Sequence, residues 1–327
     1  MPLKDSDNIL QPLKNLKDKY VFISEREGSL KDINYYNIED VSNQERYIII
    51  LEKIFKTTHS IFTEEIIKVL IKLSEINNPY LLRYITNGKE QILVKDKPPK
   101  IIPYIIFEYA YESNLFDYLA IKPFSEIQSK LIFYKILKGI KAIHDLNICH
   151  RYIRPQNILF DRDCNPKIFG FNYLCQNTKY IGQVSLDEKY CASELLSYKS
   201  INGIKCDIFS LGQLLFNIVV GKYWFDSPSE NDQYYRLIMS KQYEYYWKYF
   251  NIELSESFKN LFIRMVSYNP DERPSIDEIF KSEWLKELED LKEDSIQNIE
   301  DEIKKEFHNR HISYQRNIVD YSFKDIE

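Results

Sequence analysis

The sequence predicts an α+β protein with a small β-rich amino-terminal part followed by a larger helical part. Strand-like segments occupy residues 20–24, 33–38 and 47–51. Apolar residues at helical spacing follow in residues 62–76 and again in residues 125–145. A length of 327 residues with 44% hydrophobic content is enough for a two-lobed globular unit with a sizeable core.

Composition narrows the classes of function. A net charge of -5 with mixed signs gives no support for nucleic-acid binding. The chain has no apolar run of 18 residues, and residues 1–20 lack the apolar segment of a signal peptide. We therefore expect a cytoplasmic protein without membrane contact. The five cysteines are scattered without a C-x-x-C pair, and we interpret them as buried thiols in a reducing compartment.

The first 110 residues are organised around strands. Residues 1–19 are polar and lysine-rich, which predicts a loosely held extension. The three strand-like segments are typical of an antiparallel sheet, and residues 62–76 predict a helix with an acidic first turn. Residues 92–100 are charged and proline-containing, which predicts an enlarged loop before a buried strand at 104–110.

The most informative stretch is His150-Arg151-Tyr152-Ile153-Arg154-Pro155-Gln156-Asn157. It resembles the catalytic loop of eukaryotic protein kinases, H-R-D-L-x-x-x-N. His150, Arg151 and Asn157 stand where that pattern requires them. Tyr152 replaces the Asp, which in the family accepts the proton of the substrate hydroxyl. A phenol is bulky, neutral at pH 7 and a poor base.

Further motifs follow in the family's order. Residues 167–172 resemble K-I-x-D-F-G, with Gly170 in place of the metal-binding Asp and Phe171 retained as the packing residue. Residues 192–194 are close to A-P-E, and residues 269–274 resemble D-P-x-x-R-P, so the resemblance implies a buried ion pair between Glu194 and Arg273. Residues 205–212 match the family motif that opens a long helix of the C-lobe, and the resemblance implies that Asp207 in this motif braces the backbone of the catalytic loop.

The amino-terminal motifs are less well preserved. The glycine-rich loop of the family aligns on residues 26–33, where only Gly28 survives and Ile33 stands for the Val. Ile50 occupies the position of the lysine that pairs with the phosphates, and Ile48 that of a small Ala. On the following helix Val69 takes the place of the glutamate, with Glu65 as the alternative if the helix is shifted.

The resemblance implies a bilobal protein kinase-like fold over residues 20–285, with an N-lobe at 20–107, a hinge at 108–111 and a C-lobe at 112–285. The positions that correspond to the nucleotide pocket are Gly28, Ile33, Ile48, Phe107 and Leu159. Residues 286–327 predict a helical tail. This tail either folds back on the domain or binds a partner.

Four positions matter most for phosphoryl transfer, and Ile50, Tyr152 and Gly170 have lost the required group while Asn157 keeps it. The residues with structural roles are retained, namely His150, Phe171, Glu194, Asp207 and Arg273. This pattern favours a pseudokinase, a non-enzyme that acts as a scaffold or allosteric partner of another protein. On this hypothesis neither ATP nor Mg²⁺ binds.

Two alternatives remain open. The chain could be a weak or unorthodox Ser/Thr protein kinase that transfers phosphate from ATP with other groups. The candidates for those groups are Lys53, Glu65, Arg154 and Asp161. It could also be a sensor that binds an adenine nucleotide without metal, although the lost glycine loop and Ile48 argue against that.

Overall fold

The computed structural model describes residues 14–26, 33–52, 62–92, 100–110, 113–177, 188–196, 201–250 and 253–324. The chain divides into two compact units, residues 1–112 and residues 113–327. Each unit is described by itself below. The first is built around a sheet and the second around helices, in agreement with the predicted α+β class.

The amino-terminal unit contains a five-stranded antiparallel sheet. A short helix precedes it, α1 (Lys14–Lys19), and a longer one follows its third strand, α2 (Glu64–Ile76). The strands are β1 (Tyr20–Arg26), β2 (Ile33–Asp40), β3 (Arg46–Glu52), β4 (Tyr84–Ile92) and β5 (Lys100–Glu108). Their order in the sheet is β1-β2-β3-β5-β4, so β3 lies at the centre and its isoleucines are buried from both faces.

One face of this sheet carries an apolar cluster that includes Leu16 of α1 and Ile49 of β3. Because residues alternate across a strand, Ile48 and Ile50 point to the opposite face. The expectation of a loosely held extension is wrong for residues 14–19. They form α1, and Leu16 is only 3% exposed because it joins the cluster.

Helix α2 has ends that its sequence explains. The Thr63 side chain accepts a hydrogen bond from the Ile66 amide, and Asn77 closes the helix with a left-handed φ of 52°. Val69 is buried on the inner face of this helix, whereas Glu65 is exposed. The predicted helix over 62–76 therefore begins two residues later than expected.

The carboxy-terminal unit begins with α3 (Leu115–Leu119) and α4 (Glu126–His144). Two small two-stranded antiparallel sheets follow, β6 (Ile148–Cys149) with β9 (Cys175–Gln176), and β7 (Ile158–Phe160) with β8 (Pro166–Ile168). The remaining helices are α5 (Gly203–Val220), α6 (Gln233–Met239), α7 (Tyr243–Phe250), α8 (Glu256–Met265), α9 (Ile276–Phe280), α10 (Glu283–Glu289) and α11 (Glu293–Lys324).

Helices α4 and α5 form the centre of this unit. Ser125 caps α4 in a reciprocal pair of hydrogen bonds with Gln128, which sets the start of the helix one residue after the predicted one. Helix α5 is long and apolar enough to cross a membrane by length and composition, but 83% of that stretch is buried inside the protein. Its apolar surface is therefore explained by packing within the unit.

The carboxy-terminal tail packs against the domain. Phe307 of α11 lies 4.1 Å from Tyr118 and 4.4 Å from Phe160, measured between ring centroids. Arg310 is 2% exposed, and its guanidinium donates to the backbone carbonyls of Tyr118, Lys122 and Pro123. The predicted boundary at residue 285 falls inside α10, because Trp284 and Leu285 anchor that helix in the core.

Candidate active site

The loop of residues 150–157 is fixed by one buried carboxylate. Asp207, in the second turn of α5, accepts hydrogen bonds from the backbone amides of His150 at 2.7 Å and Arg151 at 2.8 Å. His144, at the end of α4, places its Nε2 3.0 Å from the same carboxylate. Arg151 adopts a left-handed φ of 66°, which turns the two consecutive amides toward Asp207. Asp207 is fully buried, so the unit's central helix holds the loop at its start.

His150 connects this loop to the segment that precedes Gly170. Its Nε2 lies 3.1 Å from the carbonyl oxygen of Phe169, and its Nδ1 accepts the Tyr152 amide at 3.2 Å. The carbonyl requires a donor at Nε2, so the ring is the neutral Nε2–H tautomer. Complete burial lowers the pKa of His150 to about 4, although the carboxylate of Asp207 opposes this shift.

Asn157 and Gly170 lie against each other. The side-chain amide nitrogen of Asn157 donates to the backbone carbonyl of Tyr152 at 2.7 Å. The backbone carbonyl of Asn157 accepts a hydrogen bond from the Phe169 amide. Gly170 has a φ of +84°, and a Cβ at this position would lie 2.6 Å from the Asn157 side chain. Only glycine fits here without moving Asn157.

Tyr152, at the position of the catalytic base in the motif, is packed into the unit and only 5% exposed. Its ring makes an edge contact with Tyr173 at 5.1 Å between centroids, and the Arg154 guanidinium lies 4.7 Å from its centroid. Phe171 is also buried and faces the His150 ring at 5.7 Å. The structure therefore brings His150, Tyr152, Asn157, Gly170, Phe171 and Asp207 together.

Glu194 and Arg273 form an ion pair with the guanidinium fully buried. Arg273 also donates to the carbonyls of Ser267 and Lys205, and its guanidinium lies 5.0 Å from the centroid of the Phe209 ring. This set of contacts ties the segment around residue 194 to α5 and to the turn at residues 269–274. This is the buried ion pair that the resemblance to protein kinases implies for Glu194 and Arg273.

The amino-terminal candidates lie in their own unit. Ile48 and Phe107 are directly paired across β3 and β5, and Ile33, Ile50 and Val69 are buried in β2, β3 and α2. Leu159 is buried in β7 of the other unit. Gly28 and Lys53 lie outside the described residues. Asp161 accepts the amides of Asp163 and Asn165 in the β7–β8 turn, which is a structural role.

Some contacts at the site were not foreseen from the sequence. His144 at Asp207 and Tyr173 at Tyr152 belong to no motif, and only the fold brings them to their partners. Cys149 and Cys175 also face each other, with their sulfurs 3.4 Å apart. Of the five cysteines, 149, 191 and 206 are buried as expected, whereas 164 and 175 are half-buried.

The motifs gathered in the carboxy-terminal unit define the protein kinase class. Residues 39–285 match the protein kinase domain, so the chain belongs to the protein kinase family. The family prediction and the fold prediction are thereby confirmed.

Curated relatives show the same relationship. The chain is 26% identical over 246 residues to a Saccharomyces cerevisiae protein named as a serine/threonine-protein kinase, with 71% of this chain and 26% of that protein aligned. It is 30% identical over 193 residues to CBL-interacting protein kinase 26 of Oryza sativa subsp. japonica, covering 58% of this chain and 38% of the relative. The chain thus spans well under half the length of these relatives.

These relatives correct two expectations. The prediction that the chain is not an enzyme is wrong, since the proteins that it matches are named as protein kinases. The prediction that ATP and Mg²⁺ play no part is contradicted on the same ground, since members of this family normally use both. The changes at motif positions remove individual groups, and loss of individual groups is not by itself loss of the reaction.

The implied metal can be compared with the two motif positions that would ligate it. Mg²⁺ takes oxygen ligands in near-octahedral geometry, usually carboxylates together with phosphates. Gly170 offers no side chain, and the Asn157 amide nitrogen is committed to the Tyr152 carbonyl, so the two positions supply one amide oxygen. These two residues alone do not fit a Mg²⁺ site.

Proposed function

We propose that the chain is an unorthodox serine/threonine protein kinase, which transfers the γ-phosphoryl group of ATP slowly to a hydroxyl of a protein substrate. The single observation that carries this proposal is the clamp on residues 150–157 by Asp207, in a chain of the protein kinase family. Phosphoryl transfer depends mainly on positioning and on electrostatic stabilisation. A rigid catalytic loop supplies the positioning.

We expect Tyr152 to lower the rate of phosphoryl transfer without abolishing the reaction. A positioned general base contributes typically about 10²- to 10⁴-fold. The phenol of Tyr152 lacks that function, so we expect slow transfer compared with kinases that have the Asp. The name of each relative supports the same reaction class without identifying the substrate of this chain.

Arg154 is the candidate for electrostatic stabilisation. It is partly exposed, lies over the Tyr152 ring and lines a pocket with Arg151, Tyr190 and Cys191. A cation held within the catalytic loop can stabilise the negative charge of a phosphoryl group in transfer. This pocket is where we place the hydroxyl-bearing segment of the protein substrate.

The test is a transfer assay with ATP labelled at the γ-phosphate, magnesium or manganese, and a mixture of serine and threonine peptides. We expect incorporation above a blank that lacks the protein, and a fall of about tenfold or more in Arg154→Gln. Arg162→Gln is the matched control, because Arg162 is exposed on the β7–β8 turn and should leave the rate unchanged. Incorporation no higher than the blank, with either metal, would overturn the proposal.

A further inference from the structure

Strands β6 and β9 place two thiols directly opposite each other. Cys149 and Cys175 are register partners in this antiparallel pair, and their sulfur atoms lie 3.4 Å apart as free thiols. Directly opposed residues in antiparallel strands have Cα atoms about 4.5–5.5 Å apart. A disulfide accepts Cα separations of about 4.4–6.8 Å. The sulfurs need only about 1.4 Å of further approach to bond, so side-chain rotation is enough.

The two thiols differ in character. Cys149 is fully buried, whereas Cys175 is half-buried and within reach of a small solute. A hydrogen bond from Cys149 and the nearby Arg151 guanidinium lower the pKa of Cys175, against the opposing effects of burial and the Asp207 carboxylate. The same hydrogen bond and burial raise the pKa of Cys149. Cys175 is therefore the nucleophilic member and Cys149 the resolving member of the pair.

We propose that Cys149 and Cys175 are a peroxide-sensitive pair whose disulfide ties β6, immediately before the loop of residues 150–157, to β9, beyond Gly170. Nothing in the proposed phosphotransfer requires this bond. The proposal stands on the register of the two strands and the contact between the two sulfurs.

The reaction takes two steps. The Cys175 thiolate attacks one oxygen of hydrogen peroxide, the O–O bond breaks, and hydroxide leaves and takes up a proton as water, so that Cys175 becomes a sulfenic acid. The Cys149 sulfur then attacks the Cys175 sulfur, the S–O bond breaks, and the second water leaves with the proton of Cys149. Two thiols lose two electrons to one peroxide, which is reduced to two waters. A dithiol reductant reverses the bond.

The bond would close a ring over residues 149–175, which contains the loop 150–157, the β7–β8 hairpin and Gly170. One side of this ring is already held by Asp207 through His150 and Arg151. A covalent link at Cys175 would hold the other side. Oxidation therefore restrains the start of the segment that follows Phe171.

Peptide mapping of the full-length protein tests the proposal. After a short treatment with hydrogen peroxide and alkylation without reductant, trypsin should release residues 142–151 joined to residues 168–179, two hydrogens lighter than the free pair. The melting temperature of the oxidised protein should rise by on the order of 5 °C and return with a dithiol. Both readouts are independent of kinase activity, so their failure is distinguishable from failure of the proposed function.

Two variants decide the assignment. Cys175→Ser should abolish the joined peptides and the rise in melting temperature. Cys164→Ser should keep both, because Cys164 is another half-buried thiol whose pKa burial raises to about 11. Oxidation of Cys175 beyond the sulfenic acid while Cys149 stays a thiol would overturn the proposal. A disulfide between Cys175 and cysteine 164, 191 or 206 would also overturn it. The same rise in melting temperature in Cys175→Ser as in the unmutated protein would overturn it as well.

Discussion

Arg273 and Glu194 are joined by two parallel hydrogen bonds, with Nη1 and Nη2 of the guanidinium 2.6 and 2.8 Å from the two carboxylate oxygens. The guanidinium is fully buried and also donates to two backbone carbonyls. Removal of one member of a buried pair leaves the other charge without compensation, at a cost of about 3–5 kcal/mol.

We therefore expect Arg273→Ala to lower the free energy of unfolding by about 3–5 kcal/mol, measured by urea denaturation. Arg264→Ala is the matched control. Its partner Glu278 lies 3.8 Å away and both side chains are more than half exposed, so the loss should stay within about 0.5 kcal/mol. Equal losses in the two variants would contradict a stabilising role for the buried pair.

His150 should make folding stability depend on pH. Its pKa in the folded protein is about 4, below the ordinary value of 6.5, so between these pH values the unfolded chain binds a proton that the folded chain does not. The contribution of His150 to the free energy of unfolding is fully present above pH 6.5 and falls as the pH decreases toward 4. Below pH 4 this group causes no further loss. The slope is about 1.4 kcal/mol per pH unit.

The measurement is urea denaturation of His150→Gln and the unmutated protein at several pH values between 4 and 7. The free energy of unfolding of the variant should fall less steeply as the pH decreases, by a slope that corresponds to about one proton. The carboxylates that also titrate in this range are common to both proteins, so they do not contribute to the difference. His308→Gln is the control, because His308 is exposed on α11. If His150→Gln and His308→Gln have the same slope, the buried neutral imidazole is not the cause.

Gly170 should be intolerant of any side chain. In Gly170→Ala the alanine would have to adopt a positive φ, and its Cβ would lie 2.6 Å from the Asn157 side chain. We expect the free energy of unfolding to fall by about 1–3 kcal/mol or more. Gly221→Ala is a close control, because Gly221 also has a positive φ of +74° but the nearest atom to its Cβ would be in the Pro123 ring, at 3.2 Å.

The difference between these two glycine variants isolates the collision with Asn157. Adding Asn157→Ala to Gly170→Ala should cost less than the sum of the two single changes, as expected for residues in contact. Thermal or urea unfolding of the four proteins measures the coupling. Strict additivity would mean that Asn157 moves aside at no cost.

The carboxy-terminal helix should contribute directly to stability. Phe307 is 3% exposed, and its ring contacts Tyr118, Phe124 and Phe160. Phe307→Ala should therefore lower the free energy of unfolding by about 3–5 kcal/mol. The control Phe116→Ala removes a ring that is 40% exposed on α3, and it should cost clearly less. Similar small losses from both changes would mean that α11 is dispensable to the domain.

Local sequence signals predicted the secondary structure closely. Helix α4 was expected over residues 125–145 and spans Glu126–His144, because Ser125 and Gln128 form a capping box and the apolar spacing continues to the end. A strand was likewise expected over residues 47–51, and β3 spans Arg46–Glu52. Such signals depend on neighbouring residues, which is why they can be interpreted without a fold.

The candidate site was predicted only where a motif carried it. The motif around Asp207 predicted that this residue braces the loop, and the structure contains those hydrogen bonds. The same reasoning reached the wrong conclusion about enzyme activity, since Tyr152 and Gly170 were judged one position at a time. A residue's identity does not reveal which other groups the fold places beside it, such as Arg154 over Tyr152.

The sequence by itself determined the α+β class, the protein kinase family, and the identity of the residues at each motif position. Only the tertiary structure decided that His144 meets Asp207 from 63 residues away, and that Cys149 faces Cys175 across two-residue strands. These strands are too short to leave a periodic pattern. Their register is imposed by the helices and hydrogen bonds around them, so the contact follows from the packed unit as a whole.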